Sequence, residues 1–167
     1  MAAQLADTFH CNRSQKCSGE YFFMAIHFDP AQFLRVTGDA VIAADAEGAI
    51  IFWNPAAVRI FGYTEAEALG RSLDLIIPER LRERHWQGYG RVMNTGETRY
   101  GNDVLRVPAL HKDGQALSIA FTVALLRGAD ESSWIIAATI RDETARWQEE
   151  RALKQQVAEL GAKSRGG

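Results

Sequence analysis

One stretch of the sequence sets chemically capable side chains at helical spacing: RERHWQGYGRVM, Arg82 to Met93. His85 stands four residues after Leu81 and three and four before Gly88 and Tyr89. A helix here therefore gathers its imidazole onto one stripe with an apolar side chain, a bare backbone and a phenol. A neutral imidazole on a stiff element is a metal ligand, and a glycine one turn beyond it lets a flat molecule approach the backbone. An iron porphyrin asks for such a ligand, an apolar slot, and cations at the slot's mouth, and the arginines of this stretch supply the last. Met93 is excluded as the opposite ligand of the same iron, because eight residues of helix rise about 12 Å. The competing reading is a packed core histidine beside ordinary solvated arginines.

The rest of the composition narrows what such a site serves. A chain of 167 residues, 47% hydrophobic and 24% charged, is long enough for one core and predicts one domain. A formal net charge of -2 gives no general attraction to nucleic acid or to anionic lipid. The opening MAAQLADTF lacks the basic region and apolar run of a signal peptide, and no later stretch approaches the roughly 20 apolar residues of a membrane span, so a soluble cytoplasmic protein is expected. Ser/His/Asp groupings, a phosphate loop and H-E-x-x-H are absent, and Glu79, Glu83 and Asp103 are isolated acids, so no enzyme is expected.

Residues 1–23 differ in composition from the remainder of the chain and read as a disordered or misassigned extension. Gly19-Glu20 is encodable by a ribosome-binding sequence ahead of Met24, which suggests that translation starts there. The other reading is a metal held by His10, Cys11 and Cys17, at a spacing that matches no zinc pattern. These two cysteines are the only ones, so no disulfide scaffold is indicated.

After Met24 the elements are legible. Asp29 and Pro30 open a short helix over 29–37, and Ala40 to Ala44 and Ala49 to Trp53 form a hairpin around Asp45 to Gly48. Pro55 starts a helix that Gly62 ends. Thr64 and Glu67 have capping-box spacing for the next, closed by Gly70. A longer helix runs from near Pro78 to before Gly96. The strands VLRVPALH, QALSIAFTVALL and SWIIAATIR come next, joined by Lys112-Asp113-Gly114 and by RGADES. Residues 142–163 form an outgoing helix with Leu153, Val157 and Leu160 on one stripe, and 164–167 a flexible tail. The fold class is thus α+β, a five-stranded antiparallel sheet with short helices on one face and a concave space between them.

This order resembles the PAS domain, a sensor module of bacterial signalling proteins. The likeness lies in Asn54-Pro55, Phe61-Gly62-Tyr63, Glu67 to Gly70, the HKDG hairpin, and the Asp142-x-Thr144 exit from the last strand. It covers about Phe28 to Leu160, with the domain itself at residues 24–141 and the outgoing helix after it. The resemblance implies a sensory or interaction fold that encloses a ligand and relays through the exit helix, with Asp142 and Thr144 coupling strand to helix and Leu153, Val157 and Leu160 meeting a partner. A homodimer is the expected partner, and direct nucleic-acid or membrane contact is not expected.

PAS domains differ in ligand, and the fold alone does not choose. The stretch around His85 is similar to the haem-bearing helix of PAS sensors of the FixL type. That likeness implies haem b, with His85 as axial iron ligand, Arg91 and Arg99 at the propionates, and Phe121 and Val123 as the distal wall. Leu105 falls where that type carries a distal arginine, or Arg106 if the connection is one residue different. An apolar residue there weakens dioxygen relative to carbon monoxide. The sequence thus suggests gas or redox sensing, with output to transcription, a kinase or a second messenger left open. The alternatives are a cofactor-free adaptor with an empty pocket and a non-covalent flavin, FAD, stacked on Trp53, Trp86 or Trp134. A photoreactive cysteine adduct is excluded, because Cys11 and Cys17 lie outside the domain.

Overall fold

The structure is a computed structural model that describes residues 28–98, 103–128 and 133–165, with side chains as far as Leu160. The first 27 residues, including His10, Cys11 and Cys17, lie outside the described residues, as does Arg99.

Local chemistry sets the element ends. Helix α1 (Pro30–Val36) starts on Asp29, whose carboxylate accepts from the Ala31 N–H. Strands β1 (Ala40–Ala44) and β2 (Ile50–Trp53) pair antiparallel around a turn in which Asp45 Oδ1 accepts from the N–H groups of Glu47 and Ala49. Helix α2 (Pro55–Phe61) ends on Gly62 at φ 79°, where a side chain would be strained. Helix α3 (Glu65–Ala68) carries the full Thr64/Glu67 capping box. A 3-10 turn, Leu73–Leu75, leads into α4 (Glu79–Thr95), which Gly96 ends in the left-handed region. Strands β3 (Leu105–Leu110), β4 (Ala116–Arg127) and β5 (Trp134–Asp142) precede α5 (Thr144–Arg165). Asp142 is the last residue of β5 rather than the first of the helix: its carboxylate accepts from the Thr144 N–H at 2.8 Å and caps α5 from the strand.

The sheet order is β2-β1-β5-β4-β3, antiparallel throughout. Alternation along each strand puts Ile42, Ala138, Ile140, Phe121, Val123 and Leu105 on one face, as the register Ile42↔Ala138, Phe121↔Ile140 and Leu105↔Phe121 requires. The buried core gathers Trp53, Phe61, Ile50, Ala56, Ala57, Ala68 and Ile76 beneath β1 and β2. Trp53 and Phe61 meet at 5.5 Å between ring centroids. One buried polar side chain, Asn54, ties this half together. Its Oδ1 accepts from Val41 N–H and Ala57 N–H, and its Nδ2 donates to the Leu34 and Asp39 carbonyls.

Candidate ligand cavity

A cavity of about 560 Å3 lies between α4 and the face of the sheet just described. That volume is in the range of small-molecule and cofactor sites. The helix contributes Leu81, Arg84, His85, Gly88, Tyr89 and Val92, whose spacing of three and four places them along one stripe. Opposite them the sheet contributes an apolar wall that includes Leu105, Phe121, Val123, Leu125 and Ile136.

Three side-chain contacts fix α4 over the cavity. Trp86 Nε1 donates to Asp74 Oδ1 at 2.9 Å, and its ring fills the place a Cβ on Gly48 would take, 2.3 Å from the ring edge. Gly48 has φ 80°, so glycine is required there twice over, by conformation and by the close approach of the indole. The Tyr89 hydroxyl donates to the Asp45 carbonyl. Burial, with Asp45 and Glu47 nearby, pushes this phenol well above its ordinary value, so it stays protonated and committed to that carbonyl. Tyr89 thus borders the cavity as an anchor of the helix.

His85 lies between these anchors, with its ring edge-on to Trp86 at 5.0 Å and tilted to Tyr89 at 5.7 Å. Its Nε2 is buried and has no hydrogen-bond partner among the described residues. Burial lowers the imidazole pKa below the ordinary 6.5, an effect that outweighs the opposing attraction of the Asp74 carboxylate. The result is a neutral ring with an unsatisfied nitrogen beside an apolar cavity. An orphaned buried polar atom of this kind destabilises the fold by about 1–3 kcal/mol relative to a satisfied one.

The lowered pKa has a consequence for stability. In the unfolded chain the ring takes its proton below about pH 6.5, and in the folded chain only at lower pH, so the unfolded state binds more protons between those two values. Ligand-free stability is therefore full above pH 6.5 and declines as the pH falls from there toward the folded-state pKa. Urea unfolding from pH 7.5 down to pH 5 should show this decline (roughly the window in which imidazole titrates). His85→Leu should flatten it, and an equal slope in that variant rules His85 out as its source.

Gly88 borders the cavity inside a helix, where glycine is a poor choice. A Cβ at this position would meet nothing within 4 Å. Gly88→Ala is therefore expected to stabilise the ligand-free chain by about 0.5–1 kcal/mol, while placing a methyl group one turn beyond His85 on the cavity side. Melting curves with and without ligand check it. A variant that is less stable without ligand contradicts the open space seen at this position.

The other expected residues fall into two groups. Leu105, Phe121 and Val123 border the cavity together with His85, Gly88 and Tyr89. Arg91 is exposed on α4 and does not border it; the arginines that do are Arg84 and Arg106. Among the described residues Arg84 makes no ion pair, whereas the Arg106 guanidinium is turned to Glu143, 3.1 Å away. The signal for Arg84 was its place seven residues before Arg91, on the same flank of the helix. Trp53, Trp86 and Trp134 do not border the cavity: they pack on Phe61, on Gly48 and Asp74, and on Arg127 and Gly96.

At the exit the Ser118 carbonyl accepts from Glu143 N–H at 2.8 Å, and Ser118 N–H donates to Thr144 Oγ1 at 3.0 Å. Arg106 and Arg146 both reach Glu143. The start of α5 is thus clasped to β3 and β4. From Ala145 to Leu160 every residue of α5 is exposed, including Leu153, Val157 and Leu160.

A small open antiparallel sheet, helices on one face, a partly open apolar cavity and a projecting exit helix make a module with room for a small molecule between helix and sheet. The family model for the PAS fold matches residues 29–142, and the chain belongs to the PAS family. It is 27% identical over 76% of its length to the sensor protein FixL of Bradyrhizobium diazoefficiens, and 29% identical over 80% of its length to the oxygen sensor protein DosP of Escherichia coli. The chain spans 25% of the first and 16% of the second. Among solved structures a PAS domain from Colwellia psychrerythraea superposes with a TM-score of 0.59 at 22% identity, over 69% of this chain and 94% of that one, and so shares the fold. Among the described residues no helix is long and apolar enough to cross a membrane.

Proposed function

We propose that this PAS domain senses a diatomic gas or redox state through haem b in the cavity, whose iron His85 Nε2 would hold. The observation that carries the reading is the His85 nitrogen itself, buried, kept neutral and without a hydrogen-bond partner, at an apolar cavity. An unsatisfied buried donor or acceptor is rare in folded proteins, and a bound group that completes it is one of the reasons it is kept. The surroundings fit the group. Gly88 leaves the helix backbone bare one turn beyond the ligand, the sheet supplies an apolar wall, and Arg84 borders the cavity with its charge unpaired by any described residue. Arg99 remains part of the proposed propionate contacts on the strength of the resemblance alone. DosP, by its name an oxygen sensor, agrees with the class of signal.

Haem, when bound, would supply an iron able to take up a diatomic gas and to change oxidation state with redox poise. The chain's own residues do the rest. His85 presents a neutral nitrogen, since a protonated imidazole is no ligand. Trp86 and Tyr89 hold the helix that carries it. Leu105, Phe121 and Val123 exclude water from the opposite wall. A shift of β3 or β5 under a changed ligand state strains the clasp of Arg106, Ser118, Asp142 and Thr144 on Glu143 and the α5 start, and the exit helix moves as a unit with Leu153, Val157 and Leu160 as its reading surface.

The test is the absorption spectrum of the full chain purified with haem supplied during expression. A Soret band that saturates at one haem per chain, and that shifts with carbon monoxide after reduction, is the expected result. No band under any of these conditions overturns the reading. A second reading, a cofactor-free adaptor whose cavity is empty or takes a small apolar molecule, draws on the same apolar wall and on the place of Arg91 away from the cavity. It predicts the bandless outcome.

A further inference from the structure

Helix α4 is held unevenly along its length. As far as Tyr89 its side chains tie it to neighbouring elements: Arg82 donates to the Ile77 and Asp74 carbonyls, Trp86 to the Asp74 carboxylate, and Tyr89 to the Asp45 carbonyl. Beyond Tyr89, among the described residues, the one side chain of the helix that hydrogen-bonds is Thr95, and its partners at Arg91 and Glu97 are local. The far end is held by an indole instead. Trp134, at the start of β5, lies in the place a Cβ on Gly96 would take, and the Arg127 guanidinium stacks on it 3.5 Å from the ring centroid. The helix is thus pinned at two points by the same device, an indole laid on a glycine of positive φ: Trp86 on Gly48 and Trp134 on Gly96.

Between the two pins the sequence reads Gly88-Tyr89-Gly90. Glycine weakens a helix because it leaves the backbone free to take other conformations. Gly88 borders the cavity but Gly90 does not, and a Cβ on either would meet nothing within 4 Å. Neither the cavity nor close packing therefore requires glycine at position 90. What Gly90 supplies is a second soft residue next to the last anchor of the well-held half. After that anchor, Val92 is the one residue of α4 that borders the cavity.

We propose that residues 90–96 are a gate of the cavity, hinged at Gly88 and Gly90 and latched by Trp134 on Gly96. Release of the latch carries Val92 out of the cavity wall and widens the opening, while Trp86 and Tyr89 keep the His85 end of the helix in place. The two halves divide the work: the anchored half presents the binding groups, and the hinged half admits the ligand. The gate belongs to the ligand-free chain and does not depend on what fills the cavity.

Hydrogen exchange on the ligand-free full chain reads the gate. A hinge at Gly88 and Gly90 breaks the helical bonds that span it, which the amides of residues 90–93 donate to carbonyls four positions earlier. Those amides should exchange roughly tenfold faster than the amides of 84–87. Gly90→Ala should slow them by about fourfold, the factor by which alanine outranks glycine inside a helix. Trp134→Ala and Gly96→Ala disturb the latch from its two sides, and each should speed exchange at 90–93 while leaving 84–87 at the parent rate. Spin labels on Asn94→Cys and Gln115→Cys, both exposed positions, in a chain with Cys11→Ser and Cys17→Ser, measure the swing. Adding Trp134→Ala to that chain should enlarge a population at longer distance. Equal exchange in the two halves of α4 in the parent overturns the gate. So does a loss of protection of the same size at 84–87 and 90–93 in both latch variants, the mark of a contact that holds the whole helix, and so does a label distance that Trp134→Ala leaves unchanged. No ligand enters these measurements, so a failure of the gate and a failure of the haem reading are told apart.

Discussion

His85→Ala, expressed with haem supplied, should lose the Soret band altogether, and free imidazole added to the purified variant should restore it. The first result comes from removing the nitrogen that the fold leaves unpartnered beside the cavity. The second separates a ligand from a packing residue, because a diffusing imidazole can coordinate iron but cannot rebuild a side-chain contact. The same site predicts an opposite effect on the ligand-free chain. His85→Leu removes the buried nitrogen and keeps an apolar side chain near Tyr89 and Trp86. It should raise unfolding free energy by about 1 kcal/mol, with the gain growing below pH 6.5 as the parent loses stability through its lowered imidazole pKa. A residue present only for packing should give the reverse: an unchanged band, and a loss of stability on substitution. An intact band in His85→Ala would assign the iron ligand to another side chain.

Asn54→Ala is the substitution expected to damage the fold most. Asn54 is 2% exposed and uses all its hydrogen-bonding capacity on four partners from three places in the chain. Val41 N–H on β1 and Ala57 N–H on α2 donate to Oδ1 at 2.9 Å, and Nδ2 donates at 3.1 Å to Leu34 on α1 and to Asp39 before β1. Alanine leaves two donors and two acceptors without these partners and leaves α2 without its N-cap. The loss should be about 3 kcal/mol, with a melting temperature lower by roughly 10 °C. Asn54→Asp tests the mechanism, since it keeps the two acceptor contacts and turns a charged oxygen toward two carbonyls. It should be no better than alanine near pH 7. Urea unfolding of both variants measures this, and a loss well under 1 kcal/mol (small beside the ~1–3 kcal/mol of one stranded buried group) would mean that this network is not what joins α1, β1 and α2.

What a short window of sequence determines, it determines well. Asp29-Pro30, Asn54-Pro55, the Thr64/Glu67 box and the left-handed glycines Gly62 and Gly96 mark element ends because each acts on backbone groups within about four residues. The stripe from Leu81 to Val92 was legible for the same reason, helical periodicity being local, and with it the neighbours of His85. The capping role of Asp142 was legible too, but its membership of β5 was not, since strand length depends on the partner strand.

Only tertiary structure decided the rest. Arg84 and Arg91 occupy the same flank of α4, separated by about 10 Å of helix rise, and which of them borders the cavity depends on where along its axis the helix is docked. That docking is fixed by Trp86 against Gly48 and Tyr89 against the Asp45 carbonyl, contacts across about forty residues that no local pattern announces. The same contacts withdrew Trp86 from ligand stacking. Glu143 escaped notice because its partner Arg106 lies 37 residues earlier, on a strand whose register is set by β4. The sequence specifies which groups a helix or turn presents; burial, which leaves His85 neutral and unpartnered, exists only once the sheet stands opposite it.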